Sequence, residues 1–408
     1  RGAPFSDDLT TEEVDNIMNA SMRRSHRYRT LRTAGVSMDS IRESFNTPVE
    51  MRVFSWSGEI DTVMTPWDSI LYYKHILRVG MMSADPRTGY VKTYVGGPDL
   101  AHFQYDHVKL GKRQAGSTFK PFLYVLAWQE GYSPCRKVPV TPQVFPDQDS
   151  TWSPRTTGTK YIGTEQTLKW GLAKSENLIS AWLLKNFTPQ SIVDMAHKLG
   201  IESPLDPVYS MIYGVSDVSV YEMVSAFSTF ANKGVHIKPM FVTRIEDKNG
   251  NLLSTFQPEV EEAVSERTAY LMLNAMQGTV NFGTAIGLRA RFGFESEIAG
   301  KTGTTQNNSD GWFMGIVPKL VTGIWVGGEE RSIRFDNDHI GQGAYMAMPI
   351  WAHFMNKVYE DEEINITPED KFDMPDNLNV QVNCDEYVPD DYASPRDNYG
   401  ISGYGLGY

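Results

Sequence analysis

Ser117 and Lys120 stand three residues apart in Arg113-Gln114-Ala115-Gly116-Ser117-Thr118-Phe119-Lys120-Pro121, just ahead of the apolar run Phe122, Leu123, Val125, Leu126 and Trp128. A serine hydroxyl attacks a carbonyl at neutral pH only when a neighbour takes its proton in the transition state. Positions i and i+3 share a helix face, so Lys120 can sit one turn above Ser117. The apolar run would bury the rest of that helix and fix the geometry. Burial also favours the neutral amine, the form that can act as a base. Alone, such a pair is usually coincidence.

Two further clusters change that reading. Ser175-Glu176-Asn177 opens a second apolar-periodic segment, Leu178, Ala181, Trp182 and Leu184, and offers a hydroxyl and a carboxamide. Lys301-Thr302-Gly303-Thr304 precedes the strand-like runs Gly311 to Val317 and Leu320 to Val326. It offers a cation, two hydroxyls and a glycine that lets a substrate approach the backbone. Taken singly, the first is an ordinary helix N-cap and the second the ordinary start of a strand. In order, S-x-x-K, S-x-N 58 residues on and K-T-G another 126 on form the signature of serine acyl-transfer enzymes that handle penicillin-like amides.

From about 78 to 357 the chain resembles the transpeptidase domain of a class A, bifunctional penicillin-binding protein. The phrases that carry the likeness are Asp85-Pro86-Arg87-Thr88-Gly89, Val95-Gly96-Gly97, the stretch from Arg113 to Pro121, Ala299 to Thr305, Asp310-Gly311-Trp312-Phe313 and Trp325-Val326-Gly327. The resemblance implies that Ser117 attacks the penultimate D-Ala carbonyl of a peptidoglycan stem peptide while Lys120 takes its proton. It implies that Ser175 passes a proton to the leaving D-Ala amine and that Asn177 orients Lys120 and the substrate amide. Lys301, Thr302 and Thr304 are expected to hold the terminal carboxylate beside Gly303, and the backbone N–H groups of Ser117 and Thr304 to form the oxyanion hole. A second strand's amine then resolves the acyl-enzyme, and β-lactams trap it.

Glu176 departs from the family pattern. Its carboxylate could hold Lys120 protonated or point into solvent, and solvent is the expectation. A β-lactamase shares all three motifs and needs a Glu to activate water, followed by Asn four residues later. Between Ser175 and Lys301 no Glu has an Asn at that spacing. A D,D-carboxypeptidase and a non-catalytic β-lactam sensor or scaffold, its acidic tail recruiting partners, stay open as alternatives. Gly300-Lys301-Thr302 is not a P-loop, because Glu295 stands where the first glycine is required. The eight histidines form no H-x-x-x-H pair, so no metal and no cofactor are expected.

The elements that must position these residues come from both ends of the chain's middle. A hairpin is predicted over Leu77 to Ser83 and Tyr90 to Val95, helices over Ser191 to Leu199 and Tyr221 to Asn232, and strands after Lys301. The fold class is α/β of the α+β kind, an antiparallel sheet covered by helices, of the penicillin-binding and serine β-lactamase type. Residues 1–75 read as a small linker unit: a helix over Asp8 to Met22 with a Thr10 or Thr11 cap and Glu13 behind it, a solvated basic run from Arg23 to Arg32, a strand from Val49 to Trp56, and a short helix from Trp67 to Tyr73. Residues 76–358 are the transpeptidase domain.

Among 408 residues the net charge is -12, yet from Glu360 onward 13 acidic residues face only Lys371 and Arg396, which leaves the body nearly neutral. Nucleic-acid binding therefore has no electrostatic support. Residues 359–408 read as a solvated, acidic appendage ending in Gly/Tyr-rich low complexity. Cys135 and Cys384 permit one bridge at most. No window is long and apolar enough to span a membrane, and the chain opens on Arg1. The resemblance implies an upstream anchor helix and glycosyltransferase domain that this chain lacks, a place on the outer face of the cytoplasmic membrane, and other cell-wall synthesis proteins as partners.

Overall fold

The central sheet is built from sequence that alternates on two apolar faces, and its strands come from both ends of the main domain. A computed structural model describes residues 4–147, 150–156, 158–335 and 338–386. The N-terminal unit contributes helices α1 (Thr11–Arg24), α2 (His26–Thr33), α3 (Met38–Asn46) and α4 (Pro66–Lys74), and a hairpin of β1 (Val49–Val53) and β2 (Ile60–Met64). Thr10 caps α1 and Glu13 reaches back to the Thr10 backbone, the reciprocal box expected from the sequence.

Strands β3 (Arg78–Ala84) and β4 (Val91–Val95) then pair antiparallel, and the chain leaves the sheet for some two hundred residues before returning. It returns as β5 (Ala299–Thr304), β6 (Asp310–Val317) and β7 (Leu320–Gly327). Their spatial order is β5-β6-β7-β3-β4, antiparallel throughout. β6 and β7 are buried along their whole length. Trp312, Met314 and Ile316 face one apolar core, and Phe313 and Val317 the other, as period-two alternation requires.

The first core is closed by α5 (Lys120–Gln129), α6 (Leu168–Ala173), α7 (Asn177–Leu184), α8 (Pro189–Lys198), α9 (Val220–Ala231) and α10 (Glu266–Asn281). α11 (Met348–Glu360) covers the opposite face through Trp351, Ala352 and Met355. In α5 the residues Phe122, Leu123, Tyr124, Val125, Ala127 and Trp128 are all buried, so this helix is surrounded by protein. Each such side chain contributes roughly 1.5–3 kcal/mol of burial free energy. That packing holds Lys120 at its N-terminus in a fixed place.

The expectation of a free acidic appendage is corrected as far as residue 386. Leu378, Val380 and Val382 stand at every other position, and with Phe372 they pack against the first core. Asp370 pairs with Lys319 at 2.7 Å, the Phe372 N–H donates to the Glu297 carboxylate at 2.9 Å, and Lys169 donates to the Val382 carbonyl at 3.0 Å. Cys384 is joined to Cys135 in a disulfide that closes 249 residues of chain. Acidity alone misread the segment, because its every-other-residue apolar pattern decides the packing while its carboxylates face outward or find cations. The Gly/Tyr-rich end lies outside the described residues.

Candidate active site

Ser117 sits in a 3-10 turn, Gly116–Phe119, that runs directly into α5. The turn is pressed between two other backbones. A Cβ on Gly116 would come within 2.7 Å of the Thr304 carbonyl oxygen, and one on Gly214 within 2.1 Å of Gly116 nitrogen. Both glycines have positive φ, 55° and 72°, which side chains also disfavour. On the other side a Cβ at Gly303 would meet the Ala115 carbonyl at 2.7 Å. Glycine at 116, 214 and 303 therefore allows the serine turn to lie flat against the end of β5, an edge strand of the sheet.

Ser175-Glu176-Asn177 joins α6 to α7 through a helix C-terminal motif with one unusual residue. The Glu176 N–H donates to the Gly171 carbonyl (2.8 Å) and the Ser175 N–H to the Leu172 carbonyl (3.1 Å), the bond pair of a Schellman motif. Glycine is the usual residue at the left-handed position of that motif, but here it is Ser175, with φ 58°. A side chain there costs about 1 kcal/mol or more.

The side chain retained at that cost lies between two buried lysines. Lys301 Nζ donates to Ser175 Oγ at 2.9 Å, and Lys120 Nζ reaches the same oxygen at 3.2 Å. Lys120 is also held by the Ser175 carbonyl (2.5 Å) and Asn177 Oδ1 (2.7 Å). Asn177 is oriented in turn, its Nδ2 donating to the Arg155 carbonyl at 2.7 Å and its own carbonyl accepting from the Tyr213 hydroxyl at 3.0 Å. The Tyr213 ring stands 5.6 Å from Lys120 Nζ. Among the described hydrogen bonds the Lys120 backbone N–H donates to the Ser117 carbonyl, but none joins the Ser117 hydroxyl to the Lys120 amine. The ammonium is turned toward Ser175 and Asn177, and the serine hydroxyl is left half-exposed at the turn.

Burial pushes the Lys120 amine down to about 7, against an upward pull from the Glu176 carboxylate. Lys301 is driven well below the usual lysine range, first by burial and then by the charge of Lys120. Two buried ammonium groups sharing one hydroxyl cannot both keep a proton cheaply, so the pair favours one neutral amine. Glu176 is half-buried, and its carboxylate caps α7 through the Leu178 N–H at 3.2 Å. It is thus neither free in solvent nor bonded to Lys120, and its influence on the amine is through space.

Strand alternation divides the Lys301-Thr302-Gly303-Thr304 cluster. Lys301 and Gly303 face the serine turn and Ser175, whereas the Thr302 hydroxyl bonds Thr284 Oγ1 at 2.6 Å and Thr304 Oγ1 accepts the Gly343 N–H at 3.0 Å. Ser117, Lys120, Ser175, Asn177, Lys301 and the strand with Thr302, Gly303 and Thr304 therefore converge on one place. The sequence reading missed Tyr213, Gly214 and the Arg155 carbonyl, which brace Asn177 and the serine turn. Nothing in their spacing marks them, since each is brought in by a loop from elsewhere. It also missed how Arg113 ties the turn to the sheet: its Nε donates to Asp310 Oδ1 at 2.6 Å, and Asp310 accepts from Trp325 Nε1 at 2.9 Å.

Residues 1–77 match the penicillin-binding protein middle domain and residues 79–327 the penicillin binding protein transpeptidase domain. Penicillin-binding protein 1A of Aquifex aeolicus is 30% identical over 355 residues, covering 83% of this chain and 47% of that protein. The Neisseria meningitidis serogroup A protein of the same name is 32% identical over 289 residues, covering 69% of this chain and 36% of that protein. The chain thus spans about half, or less, of the length of these curated relatives. Among solved structures, penicillin-binding protein 1A of Haemophilus influenzae has a TM-score of 0.67 at 21% identity over 74% of this chain and 49% of that one. PonA1 of Mycobacterium tuberculosis in complex with penicillin V has a TM-score of 0.61 at 21% identity, over 88% and 96%. These two share the fold. With middle and transpeptidase domains in sequence and class A proteins as its relatives, the chain belongs to the penicillin-binding protein transpeptidase family.

Proposed function

We propose that this chain is a serine-type D,D-transpeptidase that cross-links peptidoglycan stem peptides through an acyl-enzyme on Ser117 and is trapped there by β-lactams. The observation that carries it is the Ser175 hydroxyl suspended between Lys120 and Lys301, beside a serine turn that abuts the edge of the sheet. A neutral Lys120 takes the Ser117 proton, and the shared hydroxyl relays it to the leaving amine. An extended stem peptide lies along the edge of β5, bringing its carbonyl to the Ser117 and Thr304 N–H groups. The substrate carboxylate draws a proton onto Lys301 as it arrives, with Thr302 and Thr304 at the same end of the strand. That PonA1, which shares the fold, is found in complex with penicillin V supports the β-lactam arm of the reading. The disulfide favours the oxidising cell envelope as its location, with the whole protein anchored on the outer face of the cytoplasmic membrane. Residues 76–358 would be the catalytic domain. A sensor that recruits partners through a loose acidic tail is less favoured, since the segment to residue 386 is strapped down.

A fluorescent penicillin is expected to label the chain once, at Ser117, as read by intact mass and peptide mapping, and Ser117→Ala to remain unlabelled. An adduct that persists in the alanine variant would sink the reading. Ser175→Gly should raise the folding stability by roughly 0.5–1 kcal/mol, because glycine relieves the left-handed backbone. The same variant should acylate roughly a hundredfold more slowly, because the relay hydroxyl is gone. Unchanged acylation would remove Ser175 from the mechanism.

A further inference from the structure

A second concave region lies where the N-terminal unit meets the main domain, between α1, β3, the 102–113 loop and the segment after β7. It encloses about 520 Å³, within the range of small-molecule sites. Four cations line it, Arg24, Arg78, Lys112 and Arg113, against two carboxylates, Glu329 and Glu330.

Both carboxylates are already committed. Glu330 pairs with Arg24 at 2.8 Å and with the buried Lys74 at 3.2 Å, while Glu329 meets Lys74 at 3.4 Å and Arg78 at 3.6 Å. Arg113 gives Nε to Asp310 and Nη1 to the Glu329 carbonyl, and its Nη2 is buried without a hydrogen-bond partner. Lys112 is exposed and makes no ion pair among the described residues. His107 lends no compensating charge. Burial, reinforced by Arg78 and Arg113, holds its pKa at about 4, so it is neutral at pH 7. Aromatic surface is supplied by Phe103, with Arg78 packed 4.3 Å from its ring centroid, and by Tyr105, which is 56% exposed.

We propose that this cavity binds a small oxyanion carried on a ring-shaped body, a sugar acid or sugar phosphate. Lys112 takes the anion beside the guanidinium of Arg24, whose side chain is 60% exposed, as guanidinium and ammonium groups do for carboxylate and phosphate alike. Tyr105 offers a flat, exposed face to the ring. The site is distinct from the Ser117 cleft, whose serine turn is tied to the sheet by the Arg113 bond to Asp310.

The test is calorimetric titration of the intact chain with N-acetylmuramic acid, glucosamine 1-phosphate and, as neutral control, N-acetylglucosamine. At least one of the two anions is expected to bind with a Kd of about 1 mM or tighter, and the neutral sugar roughly tenfold more weakly. Which anion binds identifies the source as carboxylate or phosphate. Lys112→Glu should weaken that binding roughly tenfold by placing a like charge at the mouth. Tyr105→Ala should weaken it by a few-fold through loss of the ring contact. Binding of neither anion below about 10 mM, or binding indifferent to Lys112→Glu, overturns the proposal. Penicillin labelling of Ser117 in the same variants should stay at the wild-type rate, so failure of this site and failure of the transpeptidase reading are read separately.

Discussion

Replacing Lys120 with methionine is expected to slow penicillin acylation of Ser117 by roughly a thousandfold, the scale of a positioned general base. Methionine fills most of the lysine's volume, so the core around α5 stays packed. Alanine would be a harsher test. It leaves a void and strips the Ser175 carbonyl and Asn177 Oδ1 of their donor, at a cost of roughly 2–4 kcal/mol. Lys120→Arg should not rescue the rate, because a guanidinium stays protonated and cannot accept the Ser117 proton. The contrast between methionine and arginine isolates the base from the cation: a role limited to holding Asn177 and Ser175 would survive in the arginine variant. Stopped-flow acylation with a chromogenic β-lactam separates these cases. A methionine variant within tenfold of wild type would mean that another group takes the proton.

The three motifs were legible in the sequence because each sits where a local rule also applies. Ser117 precedes a buried helix, Ser175 closes one helix before the next begins, and Lys301 lies on a strand followed by two more. The sheet was equally open to reading, since β6 and β7 are apolar runs bounded by turn residues, and the β3–β4 hairpin has its Asp85 to Gly89 turn. What the sequence withheld is contact between distant segments. Ser117 and Lys120 are neighbours in the chain, and that spacing placed the amine one turn above the serine as a possible base. The structure instead turns the amine toward Ser175 and Asn177, a choice set by how α6 and α7 pack on α5. Thr302 and Thr304 read as companions of Lys301, yet period-two alternation sends their hydroxyls to Thr284 and Gly343. The C-terminal strap was hidden by its charge. Its disulfide partner lies 249 residues away, and no local pattern announces such a pairing.

Acylation should rise with pH through about 7 and fall roughly tenfold for each unit below it. The sign follows from the depressed amine: Lys120 titrates near 7, so it is neutral and able to accept a proton above that value and protonated below. Burial sets the position, and Glu176 opposes it by favouring the ammonium. Glu176→Gln removes that opposition, so the acid limb should move to lower pH. The variant should acylate roughly two- to fivefold faster at pH 6, the effect of a partly screened through-space charge, and at the wild-type rate at pH 9. An unmoved limb would mean that solvent fully screens the carboxylate, leaving Glu176 only its cap on α7. The steepness of the limb carries a second piece of information. Burial and the charge of Lys120 both push Lys301 down, which disfavours a second proton on the pair, so a single proton should govern the rate, with a slope of one. A slope near two would mean that both amines load together, and the Ser175 hydroxyl would then face two ammonium donors and have no base to relay through.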